Sequence, residues 1–297
     1  MPLPSEHVAG NIYDLGYRRY EGERRGRAYA VRSLYFQSLL SVFGIGRRAS
    51  SKIIPFSLAI IILLPASVQL GLVALATRDV GVARPENYFR FIQLILALFC
   101  AAVAPELVGR DQRTRTLSLY FSRSLLRSDY VAAKLAALVS AVLIVLLVPQ
   151  VLLLAGGALG SSDSWGYLQD HWDQVPPILG SALAISLLMS SVSLAIAAQT
   201  ARRAFATGGV LAFFVLSTSV GSVVFATTSG DYRRYSALLD WFTMLDGLTL
   251  WLFRARAGAA SVNAEADLSG WVYLAAAVAI SAAGLALLFQ RYRKVPL

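Results

Sequence analysis

The sequence is poor in the side chains that carry out chemistry. It has one cysteine, Cys100, and two histidines, His7 and His171. A single thiol excludes a disulfide framework within the chain and any cysteine-built metal site. The two imidazoles fall in different polar segments and leave little for metal binding or acid–base work. Charge is scarce too, at 15% of the 297 residues, where a soluble domain carries about a quarter. GxxxxGK[ST], GxSxG and HExxH are all absent, so no phosphate loop, nucleophile elbow or zinc-protease helix is encoded. The apolar stretches hold almost no ionisable groups, which argues against a proton- or sodium-driven carrier and against an intramembrane enzyme.

What the chain has in quantity is apolar residues, 57% of the total, gathered in blocks of about 20, the length that crosses a bilayer as a helix. The fold class expected is an all-α integral membrane protein. Six spans are expected at 53–76, 89–108, 130–157, 177–199, 204–227 and 271–290. Pro55, Pro65 and Pro149 fall inside spans, and the Pro176-Pro177 pair opens the fourth. The first 28 residues are polar and lack the apolar core of a cleaved signal peptide. In residues 29–43, Val31, Leu34, Tyr35, Leu39 and Val42 share one side while Ser33, Gln37 and Ser41 line another. That pattern suits either a helix lying among the lipid headgroups or one packed on a neighbour.

Orientation follows from the basic residues. Segments 1–52, 104–134, 200–204 and 290–297 hold 20 of the 27 Lys and Arg. The other seven are Arg78, Arg84, Arg90, Arg233, Arg234, Arg254 and Arg256. Both termini are therefore expected in the cytoplasm, with residues 158–175, which contain no Lys or Arg, outside. The net charge of +10 sets topology and calls for no nucleic-acid partner. Residues 237–253 approach spanning length but contain Asp240, Asp246 and Gly247. As a full span they would place the C-terminus outside, so a helical hairpin dipping into the outer leaflet, or one lying on the surface, is expected.

The most distinctive stretch is 109–134, GRDQRTRTLSLYFSRSLLRSDYVAAK, which joins the second and third spans. Its basic residues cannot lie in hydrocarbon, and it is long for a connection between spans. Its Leu and aromatic side chains would stand exposed without a partner, a mark of an interface. A solvated loop whose arginines only set topology is the plainer alternative. Candidate contact residues are Arg113, Thr116, Leu117, Tyr120, Phe121, Arg123, Leu125 and Arg127. Within the spans, Ser186, Ser190 and Ser193 share one helix face, and Ser217 and Thr218 sit midway along the fifth. They suit helix packing or a substrate path.

These features together resemble the membrane subunits of ABC-2 type transporters, bacterial members especially. The local likeness lies in Thr116-Leu117, Leu119, Arg123, Leu125, Arg127 and Lys134, and in the opening run Tyr13-Asp14-Leu15-Gly16-Tyr17-Arg18-Arg19-Tyr20. Ser124 stands where that family usually has proline, and Ala133 where it has glycine before the lysine. The resemblance implies a leader and interfacial elbow helix over 1–52 and one transmembrane domain over 53–297. It also implies a cytoplasmic coupling helix between spans two and three and external re-entrant helices before span six. The function it implies is that of a permease for export driven by ATP, in the bacterial cytoplasmic membrane. The chain would itself be no enzyme: ATP and Mg²⁺ would be bound by a partner ATPase subunit, and a second permease subunit and membrane lipid would complete the assembly. A membrane anchor that recruits a cytosolic protein without transport is the alternative.

Overall fold

The computed structural model describes residues 26–47, 49–76, 85–114, 116–121, 125–259 and 261–294. Arg123, Ser124 and the opening basic run therefore lie outside the described residues. Twelve α-helices and one 3-10 turn are present, and no strand occurs among the described residues. Among the described residues six helices are long and apolar enough to cross a membrane, so this is an all-helical, multi-pass membrane protein.

Helix α1 (Arg27–Val42) precedes the first spanning helix, α2 (Ser50–Ala76). α3 (Pro85–Arg113) and the short α4 (Leu117–Phe121) lead into α5 (Arg127–Gly160). α6 (Ser164–Asp170) and a 3-10 turn at Trp172–Gln174 then precede α7 (Val175–Ala197). α8 (Arg203–Thr227) is followed by three short helices, α9 (Asp231–Ser236), α10 (Trp241–Leu252) and α11 (Val262–Ala266), before α12 (Gly270–Arg293). α7 starts at its proline pair, where a missing N–H costs nothing. α2, α3 and α5 run on through Pro55 and Pro65, Pro105 and Pro149.

α3 and α7 form the centre, with most of their length enclosed, while α2, α8 and α12 are largely bare on their outer sides. Lipid offers no hydrophobic force between helices, so packing rests on close approach. The buried faces carry stripes of small residues between larger ones such as Leu96, Phe99, Leu138 and Leu188: Ala97, Cys100, Ala101 and Ala104 on α3, Ala133, Ala137 and Ala141 on α5, and Ser186, Ser190, Ser193 and Ala197 on α7. α1 lays Leu34 and Val42 into this core while Phe36 and Leu40 face outward. Its path along α5 is pinned by the bidentate pair of Arg27 with Asp129 (2.7 Å) and by Tyr35 Oη donating to Ser140 Oγ (2.9 Å). After α1 the chain reverses at Gly44 (φ +68°), whose missing side chain lets the Ser51 backbone approach; a Cβ there would lie 2.7 Å from the Ser51 carbonyl.

Side-chain bonds show which helix ends share a face. Gln112 at the end of α3 donates to the Ala198 carbonyl after α7 (3.1 Å) and to Tyr292 Oη on α12 (3.3 Å). Arg127 at the start of α5 donates to the Arg293 carbonyl (2.8 Å). Arg203 at the start of α8 and Arg47 before α2 both reach Glu106. At the opposite face Arg234 on α9 donates to the carbonyls of Ala266 and Asp267, so the chain leaves α8 and enters α12 on one side. At only about 18 Å long against a hydrocarbon core of about 30 Å, α10 is too short to make a seventh crossing. The first face carries Arg27, Arg47, Lys52, Arg110, Arg113, Arg127, Arg203, Arg291, Arg293 and Lys294 and is called the basic face below.

Candidate functional site

The site is built from the ends of α3, α5 and α12 with α4 between them. α3 carries Asp111 just inside its last turn, and α5 brings Lys134 Nζ to 2.8 Å from Asp111 Oδ2. The same oxygen accepts from Tyr130 Oη at 2.8 Å. Both members of the ion pair are nearly enclosed, at 8% and 13% side-chain exposure. A pair so placed is sustained by good geometry and a further hydrogen bond, and Tyr130 supplies that bond.

Tyr130 is also a packing centre. Its wholly buried ring lies 5.9 Å from Tyr120, 5.8 Å edge-on from Phe121 and 5.1 Å from Tyr292. Three helices, α4, α5 and α12, thus meet at one phenol whose hydroxyl is tied to a fourth, α3. The guanidinium of Arg127 sits 5.9 Å over Phe121, close enough for a cation–π contribution. Burial raises the Tyr120 phenol above its ordinary range, and the Asp111 carboxylate adds to that shift.

The expectation that the apolar side chains of 109–134 face outward needs correction. Leu117 is in the core, and Tyr120, Phe121 and Leu125 are part-buried against it. Only Leu126 is freely exposed, at 52%; the side chain of Leu119 and the whole of Arg123 lie outside the described residues. The physical reason is the Tyr130 ring, which gives these residues an internal apolar surface to cover. What remains outward is Arg113, Leu126 and the rim of an open groove of about 700 Å³, lined by Phe121, Leu125, Leu126, Arg127, Phe289 and Arg293 among others. Thr116 donates back to the Asp111 carbonyl (3.4 Å), closing the turn from α3 into α4.

A second ionic centre was not foreseen in the sequence. Glu106, on α3, accepts from Arg47 Nη1 at Oε2 and from Arg203 Nη1 at Oε1, both at 2.9 Å. Read alone, Glu106 is a span-end carboxylate able to reach water; its two partners lie far from it in sequence, so no local pattern reveals them.

The serine face is enclosed within the bundle. Ser186, Ser190 and Ser193 are wholly buried in the core. Ser186 Oγ donates to the Leu183 carbonyl (2.9 Å), and Ser190 Oγ has no hydrogen-bond partner among the described residues. They pack where α7 meets its neighbours. Ser217 donates to Phe214 (3.3 Å). Thr218 borders a small polar recess of about 160 Å³ on the opposite half of the molecule, together with Arg90, Asp240, Asp246 and Asn263. In that recess Asn263 Nδ2 donates to Asp246 (3.0 Å) and Tyr273 Oη donates to Asn263 Oδ1 (2.8 Å).

No protein-family model matches the chain, and no curated protein matches it. Among the described residues no group of three or more His, Cys, Asp or Glu could hold a metal ion.

Proposed function

We propose that the chain is the membrane-spanning subunit of an ABC-2 type exporter, working with a second permease subunit and a separate ATPase that binds ATP and Mg²⁺. The observation that carries this reading is α4: a short helix on the basic face, set between two spans and joined through Tyr130 to α3, α5 and α12. A push on α4 would be passed to three spanning helices at once, because packed side chains transmit strain. The groove beside it has arginines at its rim and apolar residues on its floor, the composition of a protein interface. In this reading the basic face is cytoplasmic, α1 is the interfacial elbow helix, and α9 to α11 form the re-entrant element before the last span. Catalysis belongs to the ATPase, and this chain supplies the path and the lever.

The test is purification of the tagged protein from its own cells, followed by an ATP-hydrolysis assay of whatever accompanies it. An ATPase subunit is expected in stoichiometric amount. Arg113→Glu with Arg127→Glu is expected to release it or to cut substrate-stimulated hydrolysis about tenfold or more. A firmly bound partner without ATPase activity would overturn the transporter reading in favour of a membrane anchor.

A further inference from the structure

Beneath α1 run two recesses of about 230 and 300 Å³ that share Ser41, Arg47 and Glu106 as a common wall. Between them they are bordered by four cations, Arg47, Arg110, Lys134 and Arg203, and by two carboxylates. Both carboxylates are already engaged, Glu106 by two arginines and Asp111 by Lys134 and Tyr130. The balance is therefore positive, and the Arg110 guanidinium makes no hydrogen bond or ion pair among the described residues, only the backbone carbonyl of this residue being engaged, by Thr114. Ser38 also borders the first recess; it is 2% exposed, yet its Oγ has no hydrogen-bond partner among the described residues. Buried hydroxyls in folded proteins are nearly always bonded, so this one awaits an acceptor.

We propose that this trough binds a phosphoryl anion. A phosphoryl group offers several acceptor oxygens to guanidinium and hydroxyl donors together. A cation would find no unpaired carboxylate there among the described residues. The depth suits a headgroup as well: α3 and α5 measure about 43 and 51 Å at the helical rise, well beyond a core of about 30 Å. Their basic-face ends, which carry Arg110 and Lys134, therefore stand among lipid headgroups, with Phe36 and Leu40 of α1 exposed alongside. The phosphoryl group has two sources, an acidic phospholipid or a soluble phosphate ester. Neither depends on the ATPase partnership, because binding is read on the full-length membrane protein alone.

The experiment uses the full-length protein in phosphatidylcholine nanodiscs, with native mass spectrometry for retained lipid and thermal unfolding for soluble ligand. Phosphatidylglycerol and glycerol phosphate are the probes. Preferential retention of phosphatidylglycerol, lost about tenfold in Arg110→Gln and in Ser38→Leu, supports the site with lipid as its source. A glycerol phosphate-dependent rise in Tm, absent in Arg110→Gln, supports it with a soluble source. Arg110→Lys should retain part of either effect, which separates lost charge from misfolding should Ser38→Leu prove unstable. If wild type prefers neither probe, or Arg110→Gln binds as wild type does, the proposal is overturned.

Discussion

Removing the Asp111 carboxylate leaves Lys134 Nζ enclosed without its ion-pair partner, with the Tyr130 ring 5.4 Å away and the like charges of Arg47 and Arg110 close enough to act on it. An uncompensated charge in such a place costs about 3 kcal/mol or more. Asp111→Ala is therefore expected to lower Tm clearly, and Asp111→Leu with Lys134→Met to restore much of the loss, both measured by thermal unfolding in nanodiscs. A second carboxylate has the opposite tendency. Burial lifts Asp246 above the usual carboxylate range, against smaller opposing effects from Asn263 and Arg90. Its folded-state pKa thus exceeds its unfolded one, so the folded protein binds the proton more tightly between the two values. Stability from this group is full below the unfolded pKa and is lost as pH rises through the folded one. Asp246→Asn keeps an acceptor for Asn263 but removes that loss. The variant is expected to match wild type near pH 4 and to unfold at a higher temperature than wild type at pH 8. Equal pH dependence in both proteins would show that Asp246 is not the group responsible.

At the scale of elements, α10 joins a local cap to contacts with α8 that no local pattern predicts. Asp240 caps it, accepting from the amides of Phe242 and Thr243 (3.1 and 3.2 Å), and the same carboxylate takes the hydroxyls of Thr243 and Ser222. Gly221 on α8 lets this cap lie flush: a Cβ there would come within 2.3 Å of the Asp240 backbone nitrogen. Gly221→Val is therefore expected to destabilise the protein by about 1–3 kcal/mol, with faster proteolysis in 228–269 as the local readout. Normal stability and normal protection would mean that α10 does not rest on α8. The spans themselves were legible because a run of about 20 apolar residues has few other fates, and all six appear. Their ends were less so: α5 begins at Arg127, three residues before the apolar run at 130, since polar first turns can extend into the headgroup layer. The pattern of Val31, Leu34 and Tyr35 showed a one-sided α1 but not that α5 would meet that side. The second ionic centre was invisible for the same reason, since Glu106, Arg47 and Arg203 converge only in three dimensions.

For the whole molecule, an even number of crossings places α1, α4 and the end of α12 on one face. Cys100 is wholly buried, so the unaltered protein should not react with a membrane-impermeant maleimide. Cysteines introduced at Arg113 or Lys294 are expected to label only after cells are opened, and those at Asp170 or Asp231 to label in intact cells. Labelling of the Lys294 position but not of the Arg113 position in intact cells would remove the six-span topology, and labelling of both would reverse its orientation. The chain order adds a consequence for how the protein is made. Glu106 leaves the ribosome after Arg47 but long before Arg203, which at ordinary elongation rates arrives roughly 5 to 20 s later. During that interval its carboxylate has one of its two final partners. The arrival of α8 brings the second guanidinium, so the finished bonding of Glu106 forms only once α8 is seated, late in synthesis.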